Sequence, residues 1–263
     1  MFNIYINFMW GDDFVFSGFY TIASGLLTRQ REIDVIGNNM VNMNTPGYKA
    51  DRLTSTSFNQ ELLIRMEKNG KKIIGSGAPA AIVDDVVTMM SSGHLKNTDR
   101  NLDFAVGGNG YFNVVDAQGE QCLTRNGSFE VDEEGYLQLS GIGRVIGKSG
   151  NPILVGTDAI NVSYDGDIYA PTGEYIDSFL ITQPIIGAGL VKKDNGTILV
   201  PDGTEESEQY NIYQNSLELS NVDANKEMML LIEAQRSFQT CSSAMQTIDS
   251  INRKAATQLG SIQ

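Results

Sequence analysis

The fold is decided at residues 37–49, GNNMVNMNTPGYK, where a helical apolar pattern ends. Pro46 lacks an amide proton and disfavours helix at Thr45, and Gly47 permits a positive φ angle. Upstream of this stop, from Phe19 to Met43, apolar residues recur at steps of three and four, interrupted at Arg29: Ile22, Leu26, Ile33, Ile36, Met40 and Met43. Such a stripe is typical of an amphipathic α-helix. The sequence therefore predicts a first helix that ends in this turn.

A second apolar stripe runs from Ser220 to about Leu259 and predicts a longer helix. Its apolar positions keep the same steps over most of their length: Leu231, Ala234, Phe238, Cys241, Met245, Ile248, Ala255 and Leu259. Ser220 or Asn221 is the predicted N-cap, and Asp223 and Glu227 suit the positive end of the helix dipole.

A helix of about 37 residues is ~55 Å long, and helices in globular proteins are usually shorter. Its stripe needs a long partner, and the N-terminal helix is the candidate. We therefore expect the two ends to pack as a coiled-coil-like pair. On periodicity alone, a dimerising coiled coil that carries a passenger domain explains the pattern equally well.

The centre of the chain has a different pattern from its ends. Seventeen of the 27 glycines fall between Gly107 and Gly203, and glycine favours tight turns over helices. Short apolar runs over residues 107–210 alternate with dipeptides typical of hairpin turns: Asn126-Gly127, Asp165-Gly166, Asn195-Gly196 and Asp202-Gly203. These runs predict an all-β domain. Before it, Phe58–Met66 is predicted as a weaker helix and Lys71–Val83 as extended chain.

The predicted fold class is α+β, with long N- and C-terminal helices packed as a coiled-coil-like pair and a central all-β domain of short strands. The predicted segments are an N-terminal extension at 1–15, an N-terminal helical assembly segment at 16–68, an extended connector at 69–106, the central β domain at 107–210 and a C-terminal helical assembly segment at 211–263.

Charge and composition exclude several classes of function. The 263 residues carry a formal net charge of −13, and residues 107–210 hold five basic and sixteen acidic residues. Such a surface repels nucleic-acid phosphates and anionic lipids. No apolar run approaches the ~18 residues of a membrane span, and the first residues lack the positive start of a secretory signal. Cys122 and Cys241 lack the spacing of a zinc site or a disulfide framework.

Candidate catalytic groups are weak. His94 is the single histidine, and no neighbouring residue type is placed to orient it as a base. Asp132, Glu133 and Glu134 precede a glycine, which is typical of a solvated turn rather than a glycosidase pair. Residues 107–110 lack the lysine and spacing of a phosphate loop. We expect no catalytic, cofactor-binding or metal-binding residues, and no enzyme activity.

Three blocks of sequence resemble the flagellar rod and hook protein family. Residues 37–49 are similar to its N-terminal signature, Ala-Asn-Asn-Leu-Ala-Asn-x-Asn-Thr-Pro-Gly-(Tyr/Phe)-Lys, with departures at Gly37, Met40 and Val41. In the C-terminal part the similar stretches are LELSNVD at 217–223, EM at 227–228, AQRSFQ at 234–239 and QTID at 246–249. In the centre they are LDFAVGGNGYF at 102–112 and TRNGSF at 124–129, with departures at Asp99 and Cys122.

The resemblance implies a structural subunit of the bacterial flagellar basal-body rod. Such a subunit would leave the cell through the flagellar type III export apparatus and polymerise helically through its terminal helices, forming a drive shaft and export channel across the periplasm or cell wall. Its partners would be copies of itself, other rod or hook proteins and the export apparatus, without nucleic acid, membrane insertion or cofactors. We favour the distal over the proximal rod; a hook-like axial protein is the alternative, and a rod-associated cell-wall hydrolase a remote one.

The resemblance also indicates which residues form the assembly interface. These are Ile33, Ile36, Asn38, Asn39, Met40, Asn42, Asn44, Thr45, Pro46, Gly47, Tyr48, Ser220, Asn221, Val222, Glu227, Leu231, Gln235, Arg236, Phe238, Met245, Thr247 and Asp249. Asn is a poor helix former, so Asn38 and Asn39 are read as contacts to neighbouring subunits and Asn44 as a helix-end residue. Arg236 is either an intersubunit partner or part of a solvated face.

Overall fold

The computed structural model describes residues 9–58, 61–67, 70–77, 80–116, 118–185, 189–193, 195–201, 203–207 and 209–260. For residues 9–18, 20, 55–58, 61–67, 70–77, 80–84 and 259–260 it describes the backbone alone. The chain divides into two compact units. Unit 1 contains Met1–Met40, Asp51–Val87 and Ala224–Gln263, and unit 2 contains Val41–Ala50 and Thr88–Asp223.

Unit 1 contains the two terminal helices, α1 (Met9–Val41) and α2 (Ala224–Gly260). The Asn39 amide donates to the Glu227 carboxylate over 3.4 Å, and a Cβ atom at Gly25 would lie 3.9 Å from the Cys241 sulfur. These two contacts run in opposite order along the helices, so α1 and α2 are antiparallel. The pairing of the helices as a coiled coil stays a prediction.

The predicted N-cap of α2 was wrong. The helix begins at Ala224, three residues after Asn221. Asn221 does not cap it because its side chain accepts the Ala50 N–H over 2.7 Å and donates to the carbonyls of Met89 and Ser91. No helix in the described part of the chain is both long and apolar enough to cross a membrane.

Unit 1 also contains four strands: β1 (Asp51–Phe58), β2 (Glu61–Glu67), β3 (Gly70–Gly77) and β4 (Ala80–Thr88). β1 pairs with β4, and β2 pairs antiparallel with β3. The helix predicted at Phe58–Met66 is therefore wrong, because a short apolar run does not distinguish a helix from a strand. The extended reading of Lys71–Val83 is confirmed for its described residues.

Unit 2 contains residues 107–210, which the sequence predicts as an all-β domain. Its strands are β5 (Leu95–Asn97), β6 (Phe104–Gly108), β7 (Tyr111–Asp116), β8 (Gln121–Thr124), β9 (Phe129–Val131), β10 (Leu137–Leu139), β11 (Gly143–Val145), β12 (Asn161–Val162), β13 (Asp167–Tyr169), β14 (Tyr175–Ser178), β15 (Ile181–Pro184), β16 (Val191–Lys192), β17 (Ile198–Leu199), β18 (Thr204–Glu206), β19 (Tyr210–Gln214) and β20 (Ser216–Glu218). The predicted α+β class, with a helix at each end of a central β domain, is confirmed.

The main sheet of unit 2 runs in the order β16-β17-β8-β7-β11-β10-β9, and β15 joins it by pairing with both β7 and β18. A smaller sheet has the order β12-β13-β14, and two further pairs are β19-β6 and β20-β5. The pair β20-β5 matters most for the site, because it places Glu218 opposite Leu95.

Four phenylalanines form the centre of unit 2. Phe104, Phe112, Phe129 and Phe179 have no solvent exposure. The ring of Phe112 meets Phe129 at 5.1 Å and Phe179 at 5.3 Å, both edge to face. Edge-to-face contact is a favoured aromatic geometry and adds to the free energy gained by burying the rings. This cluster joins β6, β7 and β9 in the core of unit 2.

The turn between β7 and β8 is held by one carboxylate. Asp116 Oδ1 accepts the N–H groups of Glu120 and Gln118, and Lys193 Nζ lies 3.1 Å from Oδ2. The Glu120 N–H first, and then the Lys193 ammonium, hold the pKa of Asp116 below its ordinary value of 3.8. The charged form of Asp116 is therefore the one that stabilises this hairpin.

We predict that Phe129→Ala lowers the free energy of unfolding by roughly 3–5 kcal/mol, because it leaves a cavity among three other rings. Tyr175→Ala removes an aromatic ring that is 54 % exposed, and we expect less than half of that loss. Chemical denaturation followed by near-ultraviolet circular dichroism measures both variants. Equal losses would contradict the central role of the phenylalanine cluster.

Asp116 also predicts a dependence of stability on pH. Because its pKa is lowered in the folded chain, the stabilisation is fully present above the pKa of the unfolded chain and is lost as pH falls through the folded value. Asp116→Asn should remove this part of the acid-induced loss. Denaturant titrations between pH 6 and pH 2 measure the free energy of unfolding of the two chains. If it falls equally with pH in both, Asp116 does not contribute to the acid-induced loss of stability.

Candidate functional site

The structure divides the predicted interface residues by their exposure. Buried within the chain are Ile36, Asn39, Gly47, Tyr48 and Glu227. Exposed are Asn38, Asn44, Thr45, Gln235, Arg236, Thr247 and Asp249. Half-buried are Ile33, Met40, Asn42, Pro46, Ser220, Asn221, Val222, Leu231, Phe238 and Met245. Asn39 and Glu227 meet at a buried carboxylate in unit 1, and unit 2 contains a second buried carboxylate, that of Glu218.

The first carboxylate belongs to Glu227, in the first turn of α2. Arg52 Nη1 donates to Glu227 Oε2 over 2.9 Å, and Arg52 Nη2 donates to Oε1. Asn39, near the end of α1, donates to Oε2 and also holds the backbone of Asp51, giving one hydrogen bond and accepting another, each of 2.9 Å. The Glu227 cluster (Asn39, Asp51, Arg52 and Glu227) thus joins α1, β1 and α2.

The geometry of this cluster explains the residue types. A carboxylate with no solvent exposure needs a cation or several donors, and the planar guanidinium of arginine matches both of its oxygens. The negative charge also lies at the positive end of the α2 dipole. The hydrogen bond to Glu227 raises the pKa of Arg52, against the effect of burial.

The second carboxylate belongs to Glu218, at the end of β20 in unit 2. Lys49 Nζ lies 2.7 Å from Oε1, and Arg125 Nη1 lies 2.9 Å from Oε2. All three side chains are buried, with side-chain exposures of 1–4 %. The Gly93 N–H also donates to Oε1 over 2.8 Å. The Glu218 cluster (Lys49, Gly93, Arg125 and Glu218) therefore surrounds one anion with two cations and a backbone donor.

The two cations of this cluster also donate to backbone carbonyl groups, whose oxygens stabilise the positive charge that Glu218 does not neutralise. Arg125 donates to the carbonyls of Val106 and Gly108, at 2.9 and 2.7 Å, and Lys49 donates to the carbonyl of Ser91 at 2.9 Å. Burial lowers the pKa of Lys49, and the hydrogen bond to Glu218 partly offsets that effect. Both oxygens of the Glu218 carboxylate are therefore hydrogen-bonded, whereas the buried Nε of Arg125 has no hydrogen-bond partner among the described residues.

Neither cluster resembles a catalytic site. Each carboxylate is engaged by its cations and is enclosed, so it has no open side for a substrate. Asp132, which the sequence marks as a turn residue, accepts the N–H groups of Glu134 and Tyr136 and pairs with Arg144. The residues within hydrogen-bond reach of these acids hold loops and helices in place.

An open groove runs along the exposed face of α2. It has a volume of about 630 Å³ and is lined by Arg29, Met229, Ile232, Glu233, Arg236, Ser237, Thr240 and Cys241. Met229 is 70 % exposed and Ile232 is 46 % exposed. Of the predicted interface residues, Arg236 therefore lies beside exposed apolar side chains, which is the composition of a protein-binding surface.

Sequence reasoning did not identify the four charged side chains that complete the two clusters, those of Lys49, Arg52, Arg125 and Glu218, nor Asp51 and Gly93, which contribute backbone groups. Lys49, Arg125 and Glu218 each stand in a block that resembles the rod and hook family, but their chemistry gives no sign of burial. Lys49 and Glu218 are 169 positions apart, and no periodic pattern connects residues at such a distance. Arg52 has no sequence signal.

Three family models match the chain in order along its length. The model described as flagella basal body rod protein matches residues 19–49. The model of the flagellar hook protein FlgE/F/G D1 domain matches residues 105–215. The model of the flagellar basal body rod FlgEFG protein C-terminal region matches residues 213–259. These spans include Asn39, Lys49, Arg125, Glu218 and Glu227.

Curated relatives are similar over almost the whole chain. The chain is 30 % identical over 254 residues to the flagellar basal-body rod protein FlgG of Bacillus subtilis, covering 88 % of this chain and 95 % of the relative. It is 29 % identical over 255 residues to FlgF of Caulobacter vibrioides, covering 92 % and 98 %. It is 31 % identical over 252 residues to FlgG of Agrobacterium fabrum, covering 86 % and 93 %.

We predict that Glu227→Gln destabilises unit 1, because it leaves the Arg52 guanidinium without its countercharge. The expected loss is roughly 2–3 kcal/mol, less than for a fully enclosed ion pair, since Arg52 keeps part of its exposure. Glu233→Gln, an exposed change on the same helix, is the matched control and should lose under ~0.5 kcal/mol. Denaturant unfolding followed by helical circular dichroism compares them, and equal stabilities would contradict the role of Glu227.

Proposed function

Because this chain belongs to the flagellar basal-body rod protein family, we propose that it polymerises helically through its terminal helices into the rod, forming part of the drive shaft and export channel. As a member of this family, it is a structural protein of the flagellar basal body. We further propose the surface through which it assembles, and that the chain has no catalytic role.

The observation that carries the proposal is the exposure of apolar side chains on the helices of unit 1. Several large apolar side chains of α1 and α2 remain in solvent: Leu27, Met228, Met229, Ile232 and Ile251. Clusters of exposed apolar residues on helices are typical of protein-binding surfaces. The Met229 and Ile232 side chains line the groove together with Arg236, so a helix of a neighbouring copy would find both apolar contact and a cation there.

The distribution of charge supports assembly through unit 1. Unit 1 contains 11 basic and 12 acidic residues, a net charge of −1, whereas unit 2 contains eight basic and 20 acidic residues, a net charge of −12. Copies of unit 1 can approach one another without net repulsion. Copies of unit 2 repel one another at short distance, which favours their solvation in a filament.

We propose different roles for the buried and the exposed interface residues. The exposed side chains of Asn38, Gln235, Arg236, Thr247 and Asp249 are available to contact neighbouring copies. The buried side chains of the Glu227 cluster contribute indirectly, because they fix the ends of the helices that carry those contacts. Such contacts need not close on themselves, and open contacts between identical subunits generate a filament.

The finer assignments rest on the same family. We favour the distal rod over the proximal rod on chain length and on the segment AQRSFQ at 234–239. Relatives named FlgG and FlgF both match, so identity does not separate the two. We also propose that the chain passes through the flagellar export apparatus and that its terminal helices become ordered on assembly. A hook-like axial protein is the alternative, and a rod-associated cell-wall hydrolase would require turnover of peptidoglycan.

The experiment is a comparison of assembly by Ile232→Glu and by the native chain. We expect the native chain to sediment as filaments above a threshold concentration, and the variant to stay soluble because a charge would be buried against the groove. Electron microscopy of the pellets identifies filaments. Limited proteolysis of both chains in dilute solution reports whether the terminal helices become protected only on assembly.

Gln239→Glu is the matched control, since it adds the same charge to an exposed position of α2 outside the groove. It should assemble at nearly the native threshold. If Ile232→Glu also assembles normally, the groove is not the interface. If the native chain forms only a defined dimer with protected ends, the passenger-domain alternative replaces the filament.

A further inference from the structure

A short segment of the N-terminal part of the chain is seated in unit 2. Gly47–Ala50 is buried at all four positions. The chain enters unit 2 at Val41 and returns to unit 1 at Asp51, so this visit is separate from the remainder of unit 2, which begins at Thr88. We call Gly47–Ala50 the latch.

The latch is held by polar groups from several distant parts of unit 2. The Gly47 N–H donates to the Glu218 carbonyl over 2.8 Å, and the Ala50 N–H donates to Asn221 Oδ1 over 2.7 Å. The Ala50 carbonyl accepts the Met89 N–H over 2.7 Å. These contacts occupy the N–H groups of Gly47 and Ala50 and the carbonyl of Ala50. Lys49 Nζ adds side-chain hydrogen bonds to Glu218 and to the Ser91 carbonyl.

Lys192 covers the latch from a further part of unit 2. Its Nζ donates to the Lys49 carbonyl over 2.6 Å and lies 3.8 Å from the centre of the Tyr48 ring. An ammonium at this distance over an aromatic face is a cation–π contact. We call the surrounding groups, Met89, Ser91, Gly93, Arg125, Lys192, Glu218 and Asn221, the slot.

The slot selects its occupant by shape as well as by charge. Gly47 has a φ angle of +69°, and a Cβ atom there would lie 2.3 Å from the backbone carbon of Arg125. No other residue type fits without moving that backbone. Two positions later, the slot requires a cation, because Glu218 Oε1 is buried and faces Lys49.

The core of unit 2 is built without the latch. The buried apolar cluster around the four phenylalanines draws its members from Leu102 to Ile212, and no residue before Leu102 belongs to it among those the structure describes. The latch is therefore attached through polar contacts at the edge of an independently packed core. Such an arrangement can open locally without global unfolding.

We propose that the slot is a recognition site for an extended Gly-Tyr-Lys segment, which the latch occupies within the same chain and leaves as one piece. Release of the latch detaches the N-terminal part of the chain from unit 2 while the phenylalanine core stays folded. The inference concerns the single chain and holds whether or not copies polymerise.

The test is hydrogen exchange on the full chain carrying Lys49→Met, which keeps the apolar stem and removes the charge. The amides of Gly47, Ala50 and Met89 should exchange faster together, by roughly ten- to a hundredfold, the size expected for a lost hydrogen bond to a charged group. The core amides of Phe104 and Leu137 should keep native rates. Lys148→Met, an exposed change in unit 2, is the control and should change neither group.

Two outcomes of this experiment would overturn the proposal. If the latch amides accelerate only together with the core amides, the latch has no separate open state. If they accelerate by different factors, the latch does not leave as one piece.

A second measurement tests recognition directly. In full-length Gly47→Val the latch cannot seat, and a synthetic peptide of residues 44–51 should restore slow exchange at Met89. The same peptide with Lys49→Met should not restore it. Protection by both peptides, or by neither, would show that the slot does not read this segment. If Gly47→Val fails to fold, the Lys49→Met chain is used with the same two peptides.

Discussion

A carboxylate stays charged inside a protein only where cations and hydrogen-bond donors surround it, and Glu218 is 1 % exposed. Its partners come from opposite parts of the chain, because Lys49 precedes β1 and Arg125 follows β8. Removing either cation would take the charged hydrogen-bond donor from one of the two Glu218 oxygens in a dry site. The three blocks of sequence that resemble the rod and hook family must therefore meet in one place before unit 2 is complete.

Unit 1 also contains a buried carboxylate that needs charged or hydrogen-bonding partners, but the partners are different. Glu227 is buried with one arginine and one asparagine, and Asn39 uses its amide both to reach Glu227 and to hold the backbone at Asp51. Asn39 and Glu227, which stand in blocks that resemble the family, therefore have hydrogen-bond partners within the chain. Surfaces available to other copies lie beside them, on the exposed faces of helices whose ends these residues fix.

Periodicity and turn chemistry predicted the helices and the β domain, because both depend on residues close in sequence. The stripe through Ala234 and the dipeptide Asn126-Gly127 are examples. Phe58–Met66 was misread, since a short apolar run suits a helix and a strand alike. The cap at Asn221 was misread because its side chain is used by Ala50 and Met89. Ion pairs between residues 169 positions apart, as for Lys49 and Glu218, leave no periodic trace.

Polar clusters and apolar faces have complementary roles in this chain. A buried ion pair adds little net stability compared with apolar packing, but it strongly disfavours arrangements in which one partner is missing. It therefore specifies which segments meet. An exposed apolar face, such as Met229 and Ile232, instead provides free energy for association once it is covered. A chain with specific internal contacts and an uncovered helix face is suited to assembly, because the contacts fix the helix ends beside the face that remains to be covered.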